Sequence, residues 1–329
     1  MMHDSYIVLL ESGGTDQDLV DYSRRETLLR SLDMDLRLRT NSIRVFCAAD
    51  TPTIPLPCGG LAIGHLFSRD GLPVLDTTLL PKSGDSAQIR RHILCEFWGA
   101  YVLIIPDTPG ESSMTITRDP SGEVRCYYAI SDGAGFLTSD VNLAKDIGIF
   151  APNIDWNAVT SALAYPYLKS IRTCLADLSE LLPGHSLGLS HPGERKVVIT
   201  QEWSPWTFVS RERRIQEPSA AVSIVRDAIE RSVSAWSNID TSILLELSGG
   251  LDSSIISACL MNSRAHVCCC TLTTPIPGSD ERAYAKVMSD LLGADLLVQE
   301  LLFEHANPFP PPPYRSVAPR VTMLHDIVD

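Results

Sequence analysis

The run Ser248-Gly249-Gly250-Leu251-Asp252-Ser253-Ser254 is the most informative stretch of this 329-residue chain. A strand-like run precedes it at 242–247, and a helix-like run follows it at 253–262. A glycine-rich turn between a strand and a helix aims backbone N–H groups and the positive end of a helix dipole at an anion. The arrangement predicts a phosphate-binding loop, and an ordinary Ser/Gly turn that caps a helix is the alternative.

The residue types of the loop suit contact with phosphate oxygens. Its two glycines let the backbone bend and approach phosphate without an intervening Cβ, and its three serines add hydroxyl donors. A carboxylate beside phosphates needs a cation between them, so Asp252 is predicted to be a Mg²⁺ ligand. The Walker pattern Gly-x-x-x-x-Gly-Lys-Ser/Thr does not occur in the sequence.

The loop resembles the pyrophosphate-binding loop of the ATP pyrophosphatase family. Members of that family split ATP between the α and β phosphates and leave AMP on a carboxyl or carbonyl oxygen. The resemblance implies that ATP and Mg²⁺ bind here, with adenine near the ends of the first two strands. The nucleotide-binding residues predicted in this way are Leu247, Ser248, Gly249, Gly250, Asp252, Ser253, Ser254 and Cys270. No catalytic residue is assigned.

The composition argues against several classes of protein. A net charge of −13 argues against a nucleic-acid surface, which needs a basic stripe. Nine cysteines without metal-site spacing predict a reducing compartment, and Cys268, Cys269 and Cys270 are expected to be small buried residues of one strand. The N-terminus lacks a basic signal region, and its apolar run Tyr6–Leu10 is too short to span a membrane. We therefore expect a cytoplasmic protein.

The pattern of the sequence changes near its middle. Residues 1–205 contain short strand-like runs separated by turn signals, with helix-like stretches near 86–97 and 155–165, which predicts an α+β domain with antiparallel sheets. Residues 206–217 are predicted to be a linker. Residues 218–329 alternate helix-like and strand-like runs, which predicts a parallel α/β sheet with its ligand beyond the carboxyl ends of the strands.

The predicted elements can be given residue by residue. The strand-like runs of the first domain are Tyr6–Leu10, Ser42–Ala48, Gly60–Phe67, Ala100–Ile105, Ser113–Thr117, Arg125–Ala129 and Lys196–Thr200. The second domain is predicted to contain a helix over Pro218–Trp236, strands at 242–247, 266–272 and 296–302, and helices at 253–262 and 281–292. The Pro-rich run Phe309–Pro313 is expected to be a stiff connector.

A second motif, Ser279-Asp280-Glu281-Arg282-Ala283-Tyr284-Ala285, opens the predicted helix 281–292. We expect Asp280 to be the N-cap and Glu281 to lie in the first turn. Together with the loop at 248–254, this motif resembles the asparagine synthetase family. In that family a similar Asp-Glu-x-x-x-Ala helix follows the second strand of the synthetase domain.

The first domain carries further points of resemblance to this family. Residues 118–128, with Arg118-Asp119-Pro120-Ser121-Gly122 and Tyr127-Tyr128, resemble its Arg-Asp-x-x-Gly-x-x-x-x-Tyr-Tyr hairpin. Residues 97–102, 136–140 and 182–185 resemble other backbone-building segments. The resemblance implies an Ntn-hydrolase-like (N-terminal nucleophile) domain of two antiparallel sheets with helices. Part of an α/β domain of the adenine nucleotide alpha hydrolase type would follow.

The start of the chain departs from the family pattern. A glutamine amidotransferase of this family uses an N-terminal Cys, and the α-amino group of that Cys acts as the base. Here the chain begins Met1-Met2-His3, and the first cysteine is the internal Cys47. We therefore predict a degenerate amidotransferase domain without glutaminase activity.

Without ammonia from glutamine, the amine must have another source. β-Lactam synthetases and lasso peptide cyclases share this loss, and both adenylate a carboxylate and let an amine of the same molecule attack it. Residues 60–71 and the Pro-rich run near 308–313 are more similar to the lasso peptide cyclases. That resemblance implies a peptide or small-molecule carboxylate as substrate, macrolactam formation in a lasso peptide precursor, and a leader-binding protein and a protease as pathway partners.

Two other functions stay open. One is an asparagine synthetase that uses free ammonia or glutamine, and the other is a non-catalytic nucleotide-binding protein. Family members carry further helices after the position that corresponds to Asp329. We therefore expect a truncated chain, with the catalytic base and a second Mg²⁺ ligand beyond residue 329.

Overall fold

The computed structural model describes residues 5–10, 16–81, 85–107, 113–131, 134–189, 197–276, 278, 280–301 and 319–320, with the backbone alone at 16–20. These residues divide into two compact units. The first contains the described parts of 1–69 and 73–208 together with 319–320, and the second contains 70–72 and the described parts of 209–301. The predicted connector Phe309–Pro313 lies outside the described residues.

The described part of the first unit consists of two antiparallel sheets with helices. Its strands are β1 (Tyr6–Leu10), β2 (Met34–Arg39), β3 (Ile43–Ala48), β4 (Thr53–Pro55), β5 (Leu61–Ser68), β6 (Phe97–Pro106), β7 (Met114–Arg118), β8 (Tyr127–Ser131), β9 (Ala134–Thr138), β10 (Ser179–Glu180), β11 (His185–Leu189) and β12 (Val197–Gln201). Its helices are α1 (Asp16–Ser31), α2 (Ser86–Glu96), α3 (Val141–Asp146) and α4 (Trp156–Ala164). The six-stranded sheets have the orders β10-β8-β9-β1-β3-β2 and β12-β11-β7-β6-β5-β4.

Strand alternation builds a layered core in this unit. Val8 of β1 and Val102 of β6 belong to one apolar cluster that lies between the two sheets. Leu9 points to the other face of the first sheet and packs in a second cluster, which takes in residues of α1 and α3. A third cluster joins the outer face of the second sheet to Ile93 of α2. The unit therefore has helices on both outer faces of two stacked sheets.

Residues 118–128 do not form the predicted hairpin, because β7 and β8 belong to different sheets. The connection between these two strands is held by a buried ionic cluster. The Arg118 guanidinium donates to the carbonyl oxygens of Val124 at 2.8 Å and Leu181 at 2.7 Å, and it pairs with the Glu180 carboxylate at 2.8 Å. Arg320 pairs with the other oxygen of Glu180. Burial raises the pKa of the Glu180 carboxyl, but the two arginines outweigh burial and hold that pKa below its ordinary value.

Asp119 ties the same connection to β6. Its buried carboxylate accepts backbone N–H groups from Tyr101 at 3.1 Å, Ser121 at 2.6 Å and Gly122 at 3.1 Å. Burial raises the pKa of this carboxyl, and the hydrogen bonds oppose that rise. Both charged residues of the motif therefore satisfy backbone groups and build the fold.

The second unit contains the predicted parallel sheet. Its elements are α5 (Pro218–Ser237), β13 (Ser242–Glu246), α6 (Leu251–Leu260), β14 (His266–Thr273), α7 (Arg282–Leu292) and β15 (Leu296–Glu300). The strands pair in parallel in the order β13-β14-β15. Pro218 occupies the first turn of α5, where its missing N–H costs nothing. Gly293 ends α7 in the left-handed conformation.

The two faces of this sheet differ in burial. Leu245 and Cys269 lie side by side on one face and pack against helix residues in the core of the unit. On the other face Leu244 is 67% exposed and Leu297 is 57% exposed. The prediction that Cys268, Cys269 and Cys270 are all buried is wrong for two of them, because alternation puts Cys268 and Cys270 on this more open face.

None of the helices in the described part of the chain has the length and apolarity that a bilayer crossing requires.

Candidate functional site

The predicted phosphate loop connects the end of β13 to the start of α6. Leu247 is buried, and its N–H donates to the carbonyl oxygen of Cys270 at 2.7 Å, so these two predicted adenine neighbours lie on adjacent strands. Gly249 follows with φ of +73°, a conformation that a residue with a Cβ rarely adopts. Gly250 is the N-cap of α6, which begins at Leu251, two residues before the predicted start.

The serines of the loop bond within the loop. The Ser254 hydroxyl donates to the Gly250 carbonyl at 2.7 Å, and the Ser253 hydroxyl lies 3.3 Å from the same oxygen. The Ser248 hydroxyl accepts the Gly250 N–H at 3.4 Å and lies 3.3 Å from the Ser253 hydroxyl. To donate to a ligand, Ser254 must therefore give up its bond to the backbone, whereas Ser248 is exposed and can rotate.

The first turn of α6 combines a helix N-terminus with a carboxylate. The opening N–H groups of a helix have no partner within the helix, and the cap residue Gly250 supplies no side-chain acceptor. Asp252 lies in this first turn and is exposed. Among the described residues, no group of three or more His, Cys, Asp or Glu side chains is placed to hold a metal ion. Asp252 is thus a single oxygen donor beside an anion-attracting helix end.

The first turn of α7 forms a wall of the loop that the sequence did not assign to the site. A Cβ built on Gly249 would lie 3.0 Å from the Cβ of Tyr284 and 3.1 Å from the Cβ of Glu281. A Cβ on Gly250 would meet only the Ser248 hydroxyl, at 3.3 Å. The helix start therefore packs closely on Gly249. The available signal was the rule that carboxyl ends of neighbouring parallel strands meet at one edge of a sheet.

The capping prediction for α7 is corrected by one residue. Glu281, not Asp280, is the N-cap, and α7 begins at Arg282. Asp280 still accepts the Arg282 backbone N–H, at 3.1 Å, and pairs with its guanidinium at 2.6 Å. The Arg282 side chain and backbone bonds lower the pKa of the exposed Asp280 carboxyl to about 2. Asp280 therefore lies one residue before the N-cap, where both its carboxylate oxygens are bonded to Arg282.

Cys270 contributes no reactive thiolate to the site. Its pKa is raised from the ordinary value by burial and by the neighbouring Glu246 carboxylate. Reactive cysteines need the opposite environment, one that lowers the thiol pKa. The role of Cys270 as a nucleotide-binding residue stays a prediction.

Comparisons with known proteins bear mainly on the second unit. Residues 224–311 match the model of the asparagine synthase family, which supports the resemblance noted at 248–254 and 279–285. A search of curated proteins finds no match. Among solved structures, the chain is similar to an allosteric regulatory enzyme of purine biosynthesis, at 9% identity and a TM-score of 0.33, over 91% of this chain and 74% of that one.

A second solved structure is the glutamine phosphoribosylpyrophosphate amidotransferase from B. subtilis complexed with ADP and GMP. The likeness has 12% identity and a TM-score of 0.34, over 89% of this chain and 65% of that one.

Proposed function

We propose that this protein is an ATP-dependent ligase that forms an amide bond by adenylating a carboxylate. One observation carries the proposal: a left-handed glycine turn leads from a parallel strand into the open N-terminus of a helix, within the stretch that matches the asparagine synthase family. This geometry suits the pyrophosphate part of a nucleotide. The family match supports an ATP-using ligase in general.

In this proposal the loop holds the departing diphosphate. Backbone N–H groups at the start of α6 donate to its oxygens, and Ser248 and Ser253 add hydroxyl donors. Such groups stabilise the charge that develops on the leaving group, and their fixed positions avoid the cost of reorganisation. Leu247, which directly follows β13, and Cys270 of β14 are joined by a backbone hydrogen bond and form the floor for the adenine.

Asp252 fits the requirements of a Mg²⁺ ligand. Mg²⁺ takes oxygen donors and usually binds through one or two carboxylates together with the phosphates of the substrate. An exposed carboxylate beside serine hydroxyls meets that requirement without a cage of protein ligands. When bound, Mg²⁺ would neutralise charge on the leaving diphosphate.

The proposed reaction has two displacement steps. A carboxylate oxygen of the substrate attacks the α-phosphorus of ATP, the bond from that phosphorus to the bridging oxygen breaks, and diphosphate leaves. An amine nitrogen then attacks the acyl carbon and loses a proton, and AMP leaves with the bonding electron pair. As the specific reaction of this ligase we favour macrolactam formation in a lasso peptide precursor. The support is the resemblance of residues 60–71 and of the Pro-rich run near 308–313 to the lasso peptide cyclases.

The first unit acts in this proposal as an Ntn-like scaffold without a nucleophile. Its stacked antiparallel sheets with outer helices are consistent with that type of domain. Cys47 is fully buried in the core between the sheets and carries no free amine. Purified protein given glutamine should release no more glutamate than a buffer control, and turnover at the rate of known glutaminases would contradict the assignment.

The ligase assignment is tested with Asp252→Ala and a matched control, Asp290→Ala, which alters an exposed carboxylate near the end of α7. With ATP, Mg²⁺ and a carboxylate substrate, the control should release diphosphate like the unaltered protein. Asp252→Ala should release almost none while its circular dichroism spectrum is unchanged. Unchanged release from Asp252→Ala would remove this residue from the mechanism.

Asparagine synthesis is the second candidate, because the family match is to asparagine synthase. Diphosphate release that depends on aspartate and ammonia would favour it over peptide cyclisation. If ATP binds but no AMP forms, either with a peptide or with aspartate and ammonia, the result would instead support a nucleotide-binding protein without catalysis.

A further inference from the structure

The first unit contains a cavity of about 940 Å³ that the ligase proposal does not use. It lies on the outer face of the first sheet, between α1, the end of β1 and the β8–β9 hairpin. Its apolar lining includes Leu9, Phe136 and Ile149, all of which belong to the apolar layer on that face. Its volume is in the range of ligand pockets, which span roughly 300–1,000 Å³.

Charged side chains line the same cavity. Asp21 and Arg25 reach it from α1, and Asp177 reaches it from the turn before β10. Among the residues that the structure describes, none of these three takes part in an ion pair. The lining therefore offers two carboxylates and one guanidinium that a ligand can engage.

The arginine in the cavity is held away from its nearest acidic neighbour. Asp21 and Arg25 have the four-residue spacing that usually closes a salt bridge on a helix, and on the same helix Glu26 and Arg30 do close one at that spacing, at 2.9 Å. Arg25 instead lies 5.7 Å from the centre of the Tyr22 ring. The Tyr22 hydroxyl in turn donates to the Leu10 carbonyl at 3.1 Å. The Arg25 guanidinium therefore lies against the Tyr22 ring, which the Arg44 guanidinium also approaches, at 5.1 Å.

The opposite charge is carried by a strained turn. Asp177 is not a glycine, yet its φ is +60°, a left-handed conformation that Asp tolerates better than most residues. Such backbone outliers cluster at ligand-binding sites. The turn places a second carboxylate on the rim of the cavity, away from α1 in the sequence.

From these observations we propose that the cavity binds a short peptide with free termini. The ammonium end faces Asp177, the carboxylate end faces Arg25, and aliphatic side chains rest on Leu9 and Ile149. Two carboxylates against one guanidinium favour a ligand with net positive charge. A single amino acid has the same end groups but fills far less of this volume. The proposal does not depend on the ligase assignment, because every lining residue belongs to the first unit.

The test uses the full chain and the tripeptide Lys-Leu-Leu, titrated by calorimetry, with the position of binding read from NMR shifts of Leu9 and Ile149 methyl groups. We expect saturable binding of the free tripeptide. N-acetylation and C-amidation should each weaken it about tenfold or more, since each removes a charge-assisted contact. Free leucine should bind much more weakly, and leucine that binds as tightly as the tripeptide would overturn the peptide assignment.

Three variants assign the two ends of the ligand. Arg25→Gln should weaken binding of the free tripeptide and remove the effect of C-amidation, and Asp177→Asn should reduce the effect of N-acetylation. Asn keeps the tolerance of the left-handed turn, so this variant is expected to fold. The control Arg30→Gln, on the same helix but paired with Glu26, should bind like the unaltered chain. Absence of saturable binding, or equal binding by Arg25→Gln and the control, would overturn the proposal.

Discussion

The polar groups of the family-like motifs are buried in the first unit and exposed in the second. In the first unit, Arg118 and Asp119 are buried, and backbone and ionic partners surround them. In the second unit, Asp252 and Ser248 are exposed at the open end of a helix, beside a sheet whose described residues are more exposed on one face than on the other. Charged residues of the family-like motifs are thus buried where they build the fold and exposed where we propose that they bind Mg²⁺. Burial and hydrogen bonding separate the two uses.

The largest effect should come from removing the buried arginine of the first unit. Arg118→Ala leaves the buried Glu180 with only one of its two cations and frees three backbone carbonyls. Breaking a buried pair costs about 3–5 kcal/mol, so we expect a loss of that size in the free energy of unfolding of this unit. Hydrogen exchange of β6 and β8 peptides in urea measures it.

The control for this substitution lies in the second unit. Lys286 pairs with Asp290 at the surface of α7, and both side chains are more than half exposed. Exposed pairs contribute about 0–1 kcal/mol, so Lys286→Ala should leave unfolding nearly unchanged. Equal losses in the free energy of unfolding for Arg118→Ala and Lys286→Ala would show that burial does not distinguish the two ion pairs.

A smaller effect is expected from the two glycines of the loop. Gly249→Ala forces a Cβ into a left-handed conformation and against the first turn of α7, at a cost of about 1–2 kcal/mol. Gly250 has φ of −76° and only a hydroxyl nearby. In calorimetric titration with ATP and Mg²⁺, Gly249→Ala should weaken binding about tenfold and Gly250→Ala less. The reverse ranking would show that the contact with α7 does not shape the loop.

The pH dependence of the first unit should report on Glu180. Its pKa is lowered on folding from the ordinary value of 4.5. A carboxyl of that kind stabilises the folded state above its unfolded pKa and loses this contribution as the pH falls through the folded value. Stability should therefore drop below about pH 4.5, and Glu180→Gln should drop less between neutral and acid pH. Asp119, whose pKa is raised, has the opposite effect on the pH dependence of stability, and this effect is shared by the unaltered chain and Glu180→Gln.

The smallest effect on stability is expected at Asp280. Its pKa of about 2 depends on Arg282, but the pair is exposed. Arg282→Ala should return the pKa, followed by NMR titration of the carboxyl carbon, toward the ordinary value of 3.8. Thermal unfolding should hardly change. A pKa that stays near 2 in the variant would mean that the helix start, not the arginine, sets it.

Local patterns predicted much of this fold. The runs Tyr6–Leu10 and Pro218–Trp236 form β1 and α5 almost as predicted, because alternation and helical spacing are visible in a short window. α1 was not predicted, since charges occur all round it. β11 was not predicted either, and β9 was noted only through the resemblance of residues 136–140 to a family segment; Gly135 and Gly188 interrupt their strand patterns.

The candidate site was likewise only partly predictable from the sequence. The loop from Ser248 to Ser254 could be located because strand, turn and helix are consecutive in the sequence. The packing of Tyr284 and Glu281 on Gly249 could not, because it depends on how α7 returns to the sheet edge. The cavity beside Arg25 collects residues from five separate segments. No window of sequence displays such a set together.

The bond between Arg320 and Glu180 has a consequence for the order of folding. It joins residues 140 positions apart, and the Pro319 carbonyl accepts the Cys174 N–H beside it. During synthesis, the N-terminal sheets can assemble while Arg320 is still untranslated, with Arg118 alone compensating Glu180. A ribosome that pauses before codon 320 would therefore hold a nascent chain whose two antiparallel sheets are nearly complete but lack the ion pair between Arg320 and Glu180.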